Sequence, residues 1–276
     1  MVARDTDSET KALLQSLDLS SLVLRTVTVK LPGQLAAMNA ALSVARGDII
    51  AITDDDAAPH PDCLARIEAH FQADSKLGGV GGRDWLYHGE RLEGGARKTV
   101  GKVQWFGRVV GNHHLGVGGP KEVDVLKGVN MSYQRTFLQG MHFDERLRGA
   151  GAQVHNDMAF SLAVKRAGWK LIYDPAVAVN HYPAPCLDED QRHRFSAEAL
   201  SDMVHNETLI LLEYLLPLRR LAFAVWALFV GTRSAFGVVQ WLRFLPHEGR
   251  LAGMKLRASL KGRVEGWRTW RRHHNA

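Results

Sequence analysis

IIAITDDDAAPHP, residues 49–61, runs from an apolar, β-branched stretch directly into three consecutive carboxylates. Ile49, Ile50 and Ile52 predict a strand, and Asp54, Asp55 and Asp56 lie just past its carboxyl end. Three like charges side by side repel unless a cation, a partner or solvent offsets them. In an α/β sheet the residues beyond a strand's carboxyl end face the crevice where ligands bind. A strand that stops on Asp-x-Asp is therefore suited to hold a divalent metal and a phosphorylated ligand. Taken alone, the segment also reads as a solvated acidic turn.

The flanking sequence supplies the frame. Residues 8–18 predict a short helix capped by Ser8, with Leu13, Leu14 and Leu17 on one face, and 22–29 (LVLRTVTV) predict a strand. An Ala-rich helix over 34–46 precedes the acidic strand, and a helix over 61–73 follows it with Pro61 in its first turn. LGGVGGRDWLYH (77–88) is a glycine-rich strand and turn in which Gly81-Gly82 accommodate a close backbone. This alternation is the pattern of a doubly wound, mostly parallel sheet. Residues 89–122 lose periodicity and predict a long mobile loop, with Asn112, His113 and His114 in solvent. A helix near 156–167 ends at Gly168, and 169–185 predict two strands separated by a proline turn.

The 276 residues suffice for one large α/β domain or two small ones. Cys63 and Cys186 lie far apart and fit reduced thiols rather than a disulfide framework. MVARDTDSETK is polar from residue 4 and unlike a secretory leader. Charge is uneven: eight Lys and Arg in 246–276 face only Glu248 and Glu265, an excess equal to the whole chain's +6. With Trp226, Trp241, Trp267 and Trp270, this basic tail suits an anionic membrane surface better than nucleic acid. The apolar run 221–230 is too short to span a bilayer, so 221–245 reads as a surface-lying or re-entrant helix, or as a helix docked on the core.

Four segments occur in a telling order: ARGDIIAITDDDAAPHPDCL (45–64), KGVNMSYQR (127–135), FDERLRGAGAQVHNDMAFSLAVKRAGWKL (143–171) and YDPAVAVNHYPAP (173–185). Together, over about residues 5–215, they resemble the family 2 glycosyltransferases of the GT-A fold. The resemblance implies an α/β fold with a mixed, mostly parallel sheet flanked by helices, to which the composition adds a helical, membrane-associating C-terminal extension. The domains implied are a catalytic one over 1–188 and the extension over 189–276. It also implies that a strand–helix–strand unit usual at the family's N-terminus is absent here, leaving the sheet short of a strand.

Residue by residue, the resemblance makes Asp54 and Asp56 the DxD pair, the first toward the donor ribose and the second toward Mg²⁺ or Mn²⁺. Gly128, Asn130 and Met131 match the segment lining the donor-sugar and acceptor pocket. Asp157 falls at the general base, His181 near the diphosphate as a further metal ligand, and Asp5 loosely at the residue that binds the nucleotide base. Asn156 stands where the family usually has Glu, and Ala163 where it has Arg.

The implied reaction is inverting transfer from a nucleotide-diphosphate sugar to a hydroxyl of a glycan or glycolipid, in polysaccharide biosynthesis at the cytoplasmic face of a membrane, with contact through 221–276. The chemistry is coherent in itself: a cation steadies the diphosphate leaving group and a carboxylate takes the acceptor's proton. The alternative is a non-catalytic module of the same fold that retains sugar-nucleotide affinity. An aspartyl-phosphate phosphatase fits poorly, because Ala57-Ala58 follow the acidic triplet.

Overall fold

Apolar and β-branched runs become strands, and Ala- and Leu-rich runs become helices, in a computed structural model that describes residues 1–18, 23–183 and 195–274. The chain opens with β1 (Val2–Arg4), α1 (Ser8–Ser16), β2 (Val27–Val29), α2 (Gln34–Val44) and β3 (Ile49–Ile52). After the acidic triplet come β4 (Ala57–Pro59), α3 (Cys63–Ala73) and β5 (Leu77–His88). Short strands β6 (Arg91–Leu92), β7 (Lys102–Val103), β8 (Val109–Val110) and β9 (Lys121–Glu122) lead to β10 (Met131–Gln134). α4 (Asn156–Arg166) and β11 (Lys170–His181) follow, then α5 (Ala197–Tyr214), α6 (Pro217–Phe229), α7 (Val238–Glu248) and α8 (Arg250–His274).

The central sheet has the order β3-β10-β5-β11-β4, with β6 on β5 and β9 on β11. It is mixed, but parallel pairing does not predominate: among the described residues only β5 and β11 run parallel within it. A parallel neighbour needs a crossover, usually a helix. No α-helix intervenes between β5 and β10, and β10 lies antiparallel to both β3 and β5. β1 and β2 form a separate parallel pair. Among the described residues β3 pairs with β10 alone, and a cavity of about 670 Å³ lined by Val2, Leu24, Met38, Leu42, Ile50 and Ile52 lies beside it.

Period-two alternation along β11 gives the sheet two apolar faces. Leu171 and Tyr173 join Tyr133, Phe143 and Phe160 in one core, which Leu209 and Ile210 of α5 complete. Ile172, Val177 and Val179 pack with Leu77 and Val80 against Ile67 and Phe71 of α3.

Several local expectations change. Asp7, not Ser8, caps α1, its carboxylate accepting the Thr10 N–H at 3.0 Å, and Leu13 and Leu17 are exposed. β2 is confined to 27–29, and residue 22 of the predicted strand lies outside the described residues, as does Cys186. The two strands expected over 169–185 are one, β11, with its register broken between Asp174 and Val179. Pro175 sits in that irregularity, where a missing N–H is tolerated. The Asp174 carboxylate accepts the Ala176 N–H at 2.9 Å and shapes the bend.

Residues 89–122 are not a free loop. The Asp124 N–H donates to the Gly101 carbonyl at 2.6 Å, its carboxylate accepts the Val103 N–H at 2.9 Å, and Val100 is buried. His113 is buried rather than solvated: its Nε2 meets the Val125 carbonyl at 2.9 Å, and the Tyr173 hydroxyl donates to its own carbonyl at 2.7 Å. Burial lowers its pKa, with the Val125 carbonyl and the Asp84 charge opposing the shift.

The basic segment from residue 246 onward is likewise not an appendage. α8 lies along α5 so closely that a Cβ on Gly262 would come 2.4 Å from the Ser201 carbonyl oxygen, and one on Gly266 2.6 Å from that of His205. Arg263 of α8 pairs with Glu207 of α5 at 2.6 Å, and Glu265 pairs with Arg148.

Candidate active site

Strand alternation continues past β3 and decides which carboxylates converge. Asp54 and Asp56 are half-buried, whereas Asp55 points into solvent. The chain then turns, with the Ala57 N–H donating to the Asp54 carbonyl at 3.3 Å, and enters β4. β4 pairs with the end of β11 so that His181 lies opposite Ala57, and the Tyr182 N–H donates to the Asp56 carbonyl at 2.8 Å. His181 Nε2 is thereby 3.4 Å from an Asp56 oxygen. One donor atom each from Asp54, Asp56 and His181 fall within 4.8 Å of one another.

This set fits a divalent cation. Two carboxylate oxygens and an imidazole nitrogen are ligands that Mn²⁺ accepts, and the oxygens suit Mg²⁺. Burial pushes the Asp54 carboxyl above its ordinary 3.8, and the charge of Asp56 adds to the shift, with Asp55 and Asp157 contributing and His181 opposing. A bound cation relieves that penalty.

The sign of the pH dependence follows. With its folded pKa above 3.8, Asp54 takes up a proton on folding, so its contribution favours the cation-free protein as pH falls and is lost as pH rises through the raised pKa. Cation binding needs the carboxylate and runs the other way. The rise in melting temperature caused by Mn²⁺ is expected to be full at neutral pH and above and to shrink as pH falls into the carboxylate range. Melting curves with and without Mn²⁺ check this; an increment constant over the whole range would contradict it.

Behind His181 lies Asp84 of β5, fully buried and ion-paired with Lys127. An Asp84 oxygen stands 3.7 Å from His181 Nδ1, a buried nitrogen with no hydrogen-bond partner among the described residues. Burial alone would raise the Asp84 pKa, but interaction with His181 and the Lys127 charge outweigh it and hold the group below the ordinary carboxylate value. A carboxylate behind a ligating imidazole fixes the ring's orientation and raises its basicity. Asp84→Asn is expected to weaken Mn²⁺ affinity by about 10- to 100-fold, measured by calorimetric titration. Unchanged affinity would remove Asp84 from the site.

The turn Lys127–Asn130 joins these parts. It is closed by the Asn130 N–H donating to the Lys127 carbonyl at 2.9 Å. Lys127 reaches Asp84, the Val129 carbonyl accepts the Thr53 hydroxyl at 3.0 Å, and the Gly128 N–H donates to the Asp157 carboxylate at 3.2 Å. The Asn130 amide donates to the Val177 carbonyl at 2.9 Å in the bend of β11. That bend lies so close to β5 that a Cβ on Gly82 would come 1.5 Å from the Val177 oxygen, so only glycine fits there.

Asp157, the second residue of α4, also accepts the Met158 N–H at 2.7 Å, and its charge is felt at Asp54. Its neighbour Asn156 is buried, and its amide donates to the Gln34 side chain at 2.9 Å and to the Ala152 and Gln153 carbonyls at 3.0 and 3.3 Å. A glutamate cannot donate those bonds, which accounts for the amide at this position.

The sequence-derived residues therefore separate. Asp54, Asp56, His181, Gly128 and Asp157 are brought together. Asn130 is tied to β11, and Met131 is wholly buried, with Tyr133 donating its hydroxyl to the Met131 sulfur at 3.5 Å, so it backs the site instead of lining it. Asp5 sits in an exposed turn after β1, where its N–H donates to the Val29 carbonyl at 3.0 Å. Asp84 and Lys127 were not read from the sequence. Their signal was Arg83-Asp84, two adjacent charges inside an otherwise apolar, glycine-rich strand.

Residues 2–134 match the sequence profile of Glycosyl transferase family 2. No curated protein matches. Among solved structures, the chain is similar to GalNAc-T7, crystallised with UDP, GalNAc and Mn²⁺, at a TM-score of 0.54 and 13% identity over 76% of this chain. It spans only 42% of that protein's chain. It is also similar to S. aureus TarS residues 1–349 in complex with UDP-GlcNAc, at a TM-score of 0.54 and 13% identity, over 97% of this chain and 82% of that one.

Proposed function

We infer, from a chain whose residues 2–134 match the family 2 glycosyltransferase profile and whose fold is similar to that of solved glycosyltransferases, that it transfers a sugar from a nucleotide-diphosphate donor to a hydroxyl of a glycan or glycolipid, with inversion. The observation that carries this reading is a set of side chains able to hold a cation, Asp54, Asp56 and His181, with a separate carboxylate, Asp157, whose charge reaches Asp54; the turn Lys127–Asn130 contacts Asp157 directly and the set through Asp84 and Thr53. A divalent cation held there supplies positive charge to the diphosphate leaving group.

The protein's own residues divide the remaining work. Asp54, Asp56 and His181 provide the cation's ligands, and Asp54 is also the carboxylate assigned to the donor ribose. Gly128 and Asn130 form the wall against the donor sugar, with Met131 behind them. Asp157 accepts the proton of the attacking hydroxyl. The Gly128 N–H, 3.2 Å away, holds one of its oxygens in place and leaves that oxygen's second lone pair for the acceptor. One base and one direct displacement invert the anomeric centre.

The test is incubation with UDP- and GDP-sugars and an acceptor panel, with Mn²⁺ or with EDTA, and assignment of the product anomer by NMR. Metal-dependent transfer with inversion is expected. Product of retained configuration, or transfer unaffected by EDTA, would contradict the mechanism. Donor binding without any turnover would favour a non-catalytic module.

A further inference from the structure

α6 carries two apolar faces, and only one is covered. Phe223 and Ala227 are buried against Leu211, Leu212 and Leu215. Leu218, Leu221, Val225 and Leu228 recur at three- and four-residue spacing on another face, 68, 62, 51 and 43% exposed. α7 repeats the pattern with Val239, Leu242 and Leu245, 49, 54 and 40% exposed, and no α7 residue is buried. Single exposed apolar residues are ordinary on a soluble protein, but regular stripes on two successive helices are not.

The charge around the stripes has one sign. Residues 216–247 contain Arg219, Arg220, Arg233 and Arg243 and no Asp or Glu. Arg233 and Arg243 are exposed, and both guanidinium groups lie over the Phe244 ring, at 5.3 and 5.7 Å from its centroid. At the end of α7, Glu248 is neutralised by Lys255 of α8 at 2.8 Å, and within α8 Glu265 is neutralised by Arg148. A groove of about 210 Å³ lined by Phe223, Leu228, Val264 and Trp267 opens between α6 and α8. No helix among the described residues is long and apolar enough to cross a membrane.

We propose that α6 and α7 form an interfacial anchor that seats the protein on a bilayer bearing anionic headgroups. The stripes enter the headgroup–acyl boundary, Arg233 and Arg243 meet the phosphates, and both helices lie in the membrane plane. A second copy of the chain is the poorer occupant, because two faces of the same positive charge would confront each other. The seat is the α6–α7 pair rather than the basic C-terminal helix, which α5 already engages. Vesicle binding is read without turnover, so this proposal stands or falls separately from the transferase reading.

The experiment is co-sedimentation of the full chain with phosphatidylcholine vesicles, pure or containing about one third phosphatidylglycerol. Binding to the anionic vesicles is expected to be about tenfold or more tighter than to the neutral ones and to weaken as salt is added. Leu221→Glu with Leu242→Glu should release the protein while leaving its melting temperature in place, since both side chains are exposed. Arg233→Gln with Arg243→Gln, which leaves the apolar stripes intact, should erase the preference for anionic vesicles. No binding to anionic vesicles, or binding by both double variants equal to that of the original protein, would overturn the proposal. A dimer in light scattering that the double Glu variant dissociates would overturn it in favour of a self-interface.

Discussion

Asp56→Ala is expected to lower transfer by about 10³-fold or more and to abolish the stabilisation of the protein by Mn²⁺. Asp56 is the carboxylate nearest His181, at 3.4 Å, and no other half-buried carboxylate between 53 and 59 can replace it except Asp54, which already belongs to the set. Charge stabilisation at a phosphoryl leaving group is worth several kcal/mol, and about 1.4 kcal/mol corresponds to tenfold in rate. The variant is not expected to unfold, because removing Asp56 also relieves repulsion on the raised Asp54 carboxyl. Assay of transfer beside a melting curve with and without Mn²⁺ separates the two effects. Residual activity above about a tenth of the original would be incompatible with a ligand at this position.

Asp157→Asn should divide the reaction differently. Loss of a general base costs about 10²- to 10⁴-fold in kcat. The amide keeps the shape of the carboxylate, and its oxygen can still accept the Gly128 and Met158 N–H groups. Donor and Mn²⁺ affinities are therefore expected to stay within about threefold of the original. A fall in kcat with binding preserved is the signature of the base. A parallel loss of Mn²⁺ binding would instead make Asp157 part of the cation site.

Much of this site was legible because its parts carry strong local signals. The apolar run ending in Asp54-Asp55-Asp56 identifies a strand end, and alternation alone separates Asp55 from its neighbours. His181 and Asp157 came from the ordered resemblance, and the structure explains their convergence: β4 returns against β11, and the Lys127–Asn130 turn holds the start of α4. Asp84 was not legible, since a charge inside a strand acquires meaning only through what lies across from it, here Lys127 and His181. His113 failed for the same reason; its partner carbonyl at Val125 is local, but the Tyr173 ring that encloses it is sixty residues away.

Strand direction was misjudged because alternation of strands and helices predicts parallel neighbours only where a helix makes the crossover. The segment between β5 and β10 has none. The docking of the C-terminal helix is masked in the sequence by its charge. Ala258, Gly262 and Gly266, spaced four residues apart along α8, are the sign of a helix pressed against another, and the arginines between them distracted from it.

We propose that Asp54, Asp56 and His181 hold a divalent cation in order to bind a nucleotide diphosphate. The most direct measurement is calorimetric titration of UDP and GDP into the protein with Mn²⁺ present and with Mn²⁺ removed by chelation. At least one of the two nucleotides is expected to bind with Mn²⁺ and to lose about tenfold or more in affinity without it. Equal affinity in both conditions, or no binding of either nucleotide in the presence of Mn²⁺, would contradict the account.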